Sequence, residues 1–117
     1  MSAKKQQRRA AFRDAVFKRD GYKCVVCGLA ASKDDPESVL DAHHISNRNT
    51  FPNGGYVREN GVSLCKHPKP NGYPSCHLKA EECLEYGATH EGCSPTELYN
   101  KIKSNRQQAD SADASNK

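Results

Sequence analysis

The sequence predicts an α+β domain of modest size, and three observations carry that expectation. Helical patterning appears toward both ends of the chain, two short strand patterns occupy the middle, and six cysteines punctuate a chain that is 35% hydrophobic with no Trp and three Phe. The 117 residues suffice for one core. Apolar content this low makes burial alone a thin source of stability, so extra staples are expected.

The elements follow in order. In "RRAAFRDAVFKRD", from Arg8 to Asp20, Phe12, Val16 and Phe17 recur near helical spacing among charges, and Gly21 suits the stop. "GYKCVVCG" reads as a knuckle between short strands, in which Gly28 permits the tight turn that points two thiolates inward. "LAASKDDPES" is a loop. "SVLDAHHI" alternates as a strand, "NRNTFPNGGY" is a long polar loop, and "ENGVSLC" is a second brief strand. "KHPKPNGYPS" is an irregular excursion. Helical preference returns at "CHLKAEECLEYG", with Gly87 as C-terminal cap, and again from Ser94, where "SPTE" offers a capping box ahead of "LYNKIKSNRQQ". The expected organisation is a basic flexible arm over 1–7, one domain over 8–106 and a disordered tail over 107–117, because "ADSADASNK" has almost nothing to bury.

The formal charge of +4 is unevenly spread. Lys4, Lys5, Arg8, Arg9, Arg13, Lys18, Arg19 and Lys23 face only Asp14 and Asp20 in the first 23 residues. Such a segment either binds a polyanion through counterion release or is simply a solvated start. No apolar run suggests a signal peptide or membrane span, so a reducing cytoplasm is expected, which favours metal over disulfides. Cys24 and Cys27 form a CxxC pair, and Cys65 and Cys76 flank a loop whose ends can complete a tetrahedral four-thiolate zinc site. His67, two residues after Cys65, is the alternative to Cys76. Cys83 reads as a small apolar filler, and Cys93 and His90 as loop residues without an evident role.

"DAHHISN" places His43 and His44 side by side on a strand, where adjacent side chains point to opposite faces. That arrangement suits a division of labour in which one imidazole holds a cation and its neighbour takes a proton from water. The pair keeps particular company: Asn60 in "ENGVSLC" and His77 in "SCHLKAE", interleaved with the cysteine pairs, after "FKRDGYKCVVCG". In that combination the sequence resembles the HNH endonucleases, a family with a ββα-metal fold, and looks closest to the zinc-ribbon type of phage and bacterial genomes. The resemblance covers Phe12 to Leu84. It departs from the family pattern in "KHPKPNGYPS", which replaces a two-residue spacer between the last two zinc cysteines.

The resemblance implies that His43 and His77 are ligands of a catalytic divalent cation (Mg²⁺, Mn²⁺, Ni²⁺ or Zn²⁺) and that His44 is the general base. Asn60 would tie down the loop and orient that base. Glu81, one helical turn after His77, is either a third ligand or an exposed helix carboxylate. Asp41 shares a strand face with His43, as an acceptor for its ring N–H or as a direct oxygen ligand. The reaction implied is DNA phosphodiester hydrolysis leaving 5′-phosphates. DNA contact is expected from Arg8, Arg9 and Arg13 and, near the motif, from Arg48 and Arg58, with Lys66, Lys69 and Lys79 close in sequence. These are phosphate-type contacts of little base specificity, so a protein partner is a possible source of targeting. The setting implied is a bacterial or phage-infected cell. The competing expectation is a noncatalytic zinc-ribbon DNA-binding module, which has no need of His44, Asn60 and His77 in motif order. A CxxC redox protein is disfavoured, because no thioredoxin-type pattern surrounds the knuckle.

Overall fold

A computed structural model describes residues 2–116. Its elements are α1 (Ala3–Arg19), β1 (Leu40–His44), β2 (Gly61–Cys65), α2 (Cys76–Tyr86), α3 (Pro95–Lys101) and α4 (Arg106–Ser115), an α+β arrangement around one two-stranded sheet. Among the described residues no helix is long and apolar enough to cross a membrane.

Helix α1 buries Phe12, Val16 and Phe17, the residues whose spacing announced it. It starts at Ala3 rather than Arg8, so most of the expected flexible arm is helical. The Ser2 side chain accepts the Lys5 backbone N–H, and that cap lets a first turn containing Lys4 and Lys5 form without an acidic residue. The knuckle is held by a single antiparallel bridge, Lys23 with Ala30, in place of the expected short strands, and Gly28 turns it at φ +80°.

β1 and β2 pair antiparallel, with Leu40 opposite Cys65, His43 opposite Val62 and His44 opposite Gly61. Gly61 admits no side chain. A Cβ there would lie 2.5 Å from Val16 Cγ2 and 2.6 Å from Phe12 Cε1, so α1 packs directly on the backbone beside His44. The core joins Phe17, Leu40, Ile45, Val62, Leu64 and Leu98 with Cys24, Cys65, Cys76, Cys83 and Cys93, and with Ala80 of α2 and Tyr99 of α3. After the irregular 66–75 segment, Ser75 caps α2, and Gly87 ends it at φ +67°.

The C-terminal third differs from expectation. The capping box of Ser94 and Glu97 forms, but α3 stops at Lys101 instead of running on through Gln108. Lys103 takes φ +56°, and Asn105 then caps a separate helix. The expected disordered tail is α4, with Ala109 and Asp113 buried. Its mean hydropathy gives no hint of this, because what docks is one small methyl group and one hydrogen-bonded carboxylate.

Candidate functional site

Two groups of metal-ligand side chains lie at opposite ends of the hairpin. At the Cys65 end, the Sγ atoms of Cys24, Cys27, Cys65 and Cys76 all fall within 4.8 Å of one another, so the four thiols can hold a metal such as zinc. The 66–75 excursion folds back to bring Cys76 beside Cys65, and the Cys76 backbone N–H donates to Cys65 Sγ at 3.3 Å. His67, the alternative to Cys76, is not part of this group, and its Nε2 sits 2.8 Å from the Ser38 carbonyl. A hydrogen bond from Cys76 outweighs burial and holds the Cys24 thiol far below its ordinary value, at about 4. Giving that hydrogen bond pushes Cys76 upward. Lys69, expected near DNA, instead places its Nζ 2.8 Å from Cys27 Sγ and 3.5 Å from Cys65 Sγ, as a counter-charge to a thiolate cluster.

At the other end, His43, His77 and Glu81 each offer a ligand atom, and these atoms also lie within 4.8 Å of one another. Strand alternation turns His43 inward to 4% exposure, where burial first and the neighbouring histidines second push its pKa down to about 3 and keep it a neutral donor. His77, the second residue of α2, presents its ring 5.1 Å from that of His43. Its Nε2 is 2.9 Å from Glu81 Oε1, one helical turn on. Its Nδ1 is 2.7 Å from Asp41 Oδ2. Asp41 therefore supports His77, not the His43 ring that shares its strand face. That bond, with Lys66 at 3.5 Å, holds its carboxyl below the usual carboxylate range despite part burial. His43, His77 and Glu81 open into a cavity of about 390 Å³ that also includes His44, Asn47, Arg48 and Glu85.

His44 turns to the other face of β1 and stacks on Phe12, ring centroids 4.5 Å apart, with the Tyr56 ring edge-on at 4.9 Å. Its Nε2 is buried without a hydrogen-bond partner among the described residues. Burial, then the charges of Arg48 and Arg9, lower its pKa to about 4, so the ring is neutral at pH 7. Asn60 is fully buried and works on the loop rather than on the His44 ring. Its Oδ1 accepts from Ser46 N–H and Tyr99 O–H, both at 2.9 Å, and its Nδ2 donates to the carbonyls of Ser46 at 3.1 Å and Gly55 at 3.3 Å.

Sequence reasoning missed the residues that fasten this loop from the far end of the chain. Asp113 accepts the backbone N–H of Asn53 at 3.0 Å and of Gly55 at 2.8 Å, while Arg106 donates to Thr50 and lies 3.8 Å over the Phe51 ring. Tyr99 also meets Ser46 Oγ at 2.7 Å. No local motif marks any of these, since the partners stand about 40 to 60 positions apart. The arginines divide. Arg13 pairs with Glu37 at 2.6 Å and exposed Arg58 with Glu59 at 3.8 Å, whereas Arg9 and Arg48 both donate to the Tyr56 phenol oxygen, at 3.1 and 2.8 Å, and Arg8 to the Asn53 carbonyl at 3.4 Å.

No family model, curated protein or solved structure matches this chain. Its functional reading rests on the geometry above.

Proposed function

We propose that the protein is a metal-dependent endonuclease that hydrolyses DNA phosphodiester bonds, with zinc in the four-cysteine cluster as a structural staple. The observation that carries this reading is a single cavity that joins three ligand side chains, His43, His77 and Glu81, to a separate imidazole, His44, and a cation, Arg48. Two nitrogens and one oxygen suit a divalent cation and leave its remaining positions open to substrate, as catalysis requires and a structural site does not. The order β1, β2, α2, with His44 at the end of β1, Asn60 just before β2 and His77 at the start of α2, is compatible with the ββα-metal fold that the resemblance implies. A noncatalytic module has no use for an open ligand set beside an unligated base.

When bound, a divalent cation neutralises the phosphate and stabilises the departing alkoxide. The residues of the chain do the rest. His44, neutral and held in place between Phe12 and Tyr56, takes the proton from the attacking water. Asp41 fixes the His77 ring through Nδ1, which turns Nε2 toward Glu81 as the ligand atom. Arg48, on the rim of the same cavity, holds a nonbridging phosphate oxygen. Asn60 keeps the loop that carries Arg48 from drifting.

Plasmid cleavage in Mg²⁺, Mn²⁺, Ni²⁺ or Zn²⁺, against EDTA, tests the reading. His44→Ala is expected to keep its fold and lose cutting by about 10²–10⁴-fold, the usual worth of a general base. Equal cleavage by this variant removes the base assignment. DNA binding without cleavage under any metal favours the noncatalytic module.

A further inference from the structure

The seven arginines fall into two groups. Arg13, Arg19, Arg58 and Arg106 each pair with a carboxylate, of Glu37, Asp20, Glu59 and Asp110. Arg8, Arg9 and Arg48 have no carboxylate partner among the described residues and donate only to neutral oxygens, those of Asn53 and Tyr56. All three line one cavity of about 540 Å³ between the first half of α1 and the 47–56 loop, together with Lys5. No Asp or Glu lines it. The carboxylate of Asp113, beneath the same loop, is consumed by the backbone N–H groups of Asn53 and Gly55.

We propose that this cavity is a phosphate subsite that holds the substrate strand beside the scissile position. The proposal rests on the nuclease reading for the word substrate, but its own basis is the uncompensated charge. Like charges gathered around a concavity repel one another, and an anion that enters it gains from all of them at once. Tyr56 builds the arrangement, because its single phenol oxygen accepts from Arg9 and Arg48 and sets the two guanidinium groups side by side without neutralising either. Both keep donors free for phosphate oxygens, since a guanidinium carries five N–H groups.

The cavity is also in the right place. Asn47 and Arg48 line both it and the cavity of His43, His77 and Glu81. A smaller cleft of about 150 Å³ that includes His44, Arg9, Arg48 and Tyr56 lies against both. One strand that crosses Arg48 therefore meets the ligand cluster on one side and the cationic cavity on the other. The wall cannot recede, because Asp113, Arg106 and Asn116 hold the loop at Asn53, Gly55, Thr50 and Tyr56. Contacts of this kind bind phosphate without reading base edges, which fixes position along the strand and leaves sequence open.

The test uses Lys5→Gln/Arg8→Gln in the full chain, since neither residue touches the ligand cluster or His44. Binding of a fluorescent DNA oligonucleotide in EDTA across a salt series is expected to lose about two units of the slope of log K against log salt, one per removed contact. With metal added, KM for DNA should rise while kcat holds. Hydrolysis of bis(p-nitrophenyl) phosphate, a single diester too short to reach the second cavity, should be unchanged. An unaltered affinity and salt slope in the folded variant overturns the subsite, whether or not the protein cuts. If neither DNA nor the small diester is cleaved by wild type, the nuclease reading falls, and the slope still decides the subsite. Wild type binding inorganic phosphate as tightly as the oligonucleotide also overturns it, by showing a site for a free anion.

Discussion

The two ligand clusters occupy opposite ends of one two-stranded sheet and are built to opposite specifications. Around Cys65 the four donors are identical, three are buried, and Lys69 stands against the exposed fourth, Cys27. Around His43 the donors are mixed, Glu81 is 53% exposed at its side chain, and the group opens on a cavity. A closed set of four thiolates satisfies a tetrahedral ion and leaves nothing for a substrate, while an open set of three leaves room for one. The difference teaches how one short sheet can present two kinds of donor set: the first cluster joins α2 to the knuckle, and the second faces an open wall.

The comparison can be broken first at the closed end. Cys24→Ala, or removal of zinc by a chelator, is expected to abolish the cooperative thermal transition followed by circular dichroism. Structural zinc is worth on the order of 10 kcal/mol, about the whole stability of a small domain. An unchanged melting curve would sink the assignment of this cluster as the staple.

The next largest effect concerns the wall of the open end. Asp113→Ala leaves one buried backbone N–H group, of Gly55, and one part-buried, of Asn53, without their charged acceptor, for a loss of about 3 kcal/mol in urea unfolding while zinc content stays the same. Asp113→Asn, which keeps one acceptor oxygen, should fall between. A loss of zinc on a par with Cys24→Ala would show that the two ends are not independent.

The smallest effect sharpens the open site itself. Asp41→Asn should weaken Ni²⁺ or Mn²⁺ binding to the zinc-loaded protein by about 10- to 100-fold in isothermal titration, the usual cost of removing the carboxylate behind a ligating histidine. Metal affinity equal to wild type would mean that the 2.7 Å contact to His77 supports nothing.

Much of this was legible along the chain, and the parts that were not share a cause. The CxxC knuckle, the Ser94 and Glu97 capping box and the Gly87 cap are local, so spacing and residue type suffice to find them. Asp41 was misdirected by strand parity. It does share a face with His43, but α2 packs on that face and brings the His77 ring within 2.7 Å of it. Lys69 reads as one more exposed cation until the 66–75 segment folds it onto the thiols. Arg13 and Arg9 look alike in sequence, and only the reach of Glu37 separates the paired one from the unpaired one. The tail was the largest miss, since "ADSADASNK" carries no apolar stripe and its helix is held by a carboxylate that finds its partners 58 and 60 positions away.

By itself, then, the sequence determined which chemistry is present: soft thiols in a pair of pairs, adjacent imidazoles that a strand must point to opposite faces, and an excess of cations at the start. Those follow from residue identity and from periodicities a few residues long. The tertiary structure alone decided which carboxylate backs which histidine, which arginines stay uncompensated around one cavity, and that the last helix clamps the loop beside His44. Each of these depends on side chains meeting across tens of residues, where spacing along the chain carries no information about distance in space.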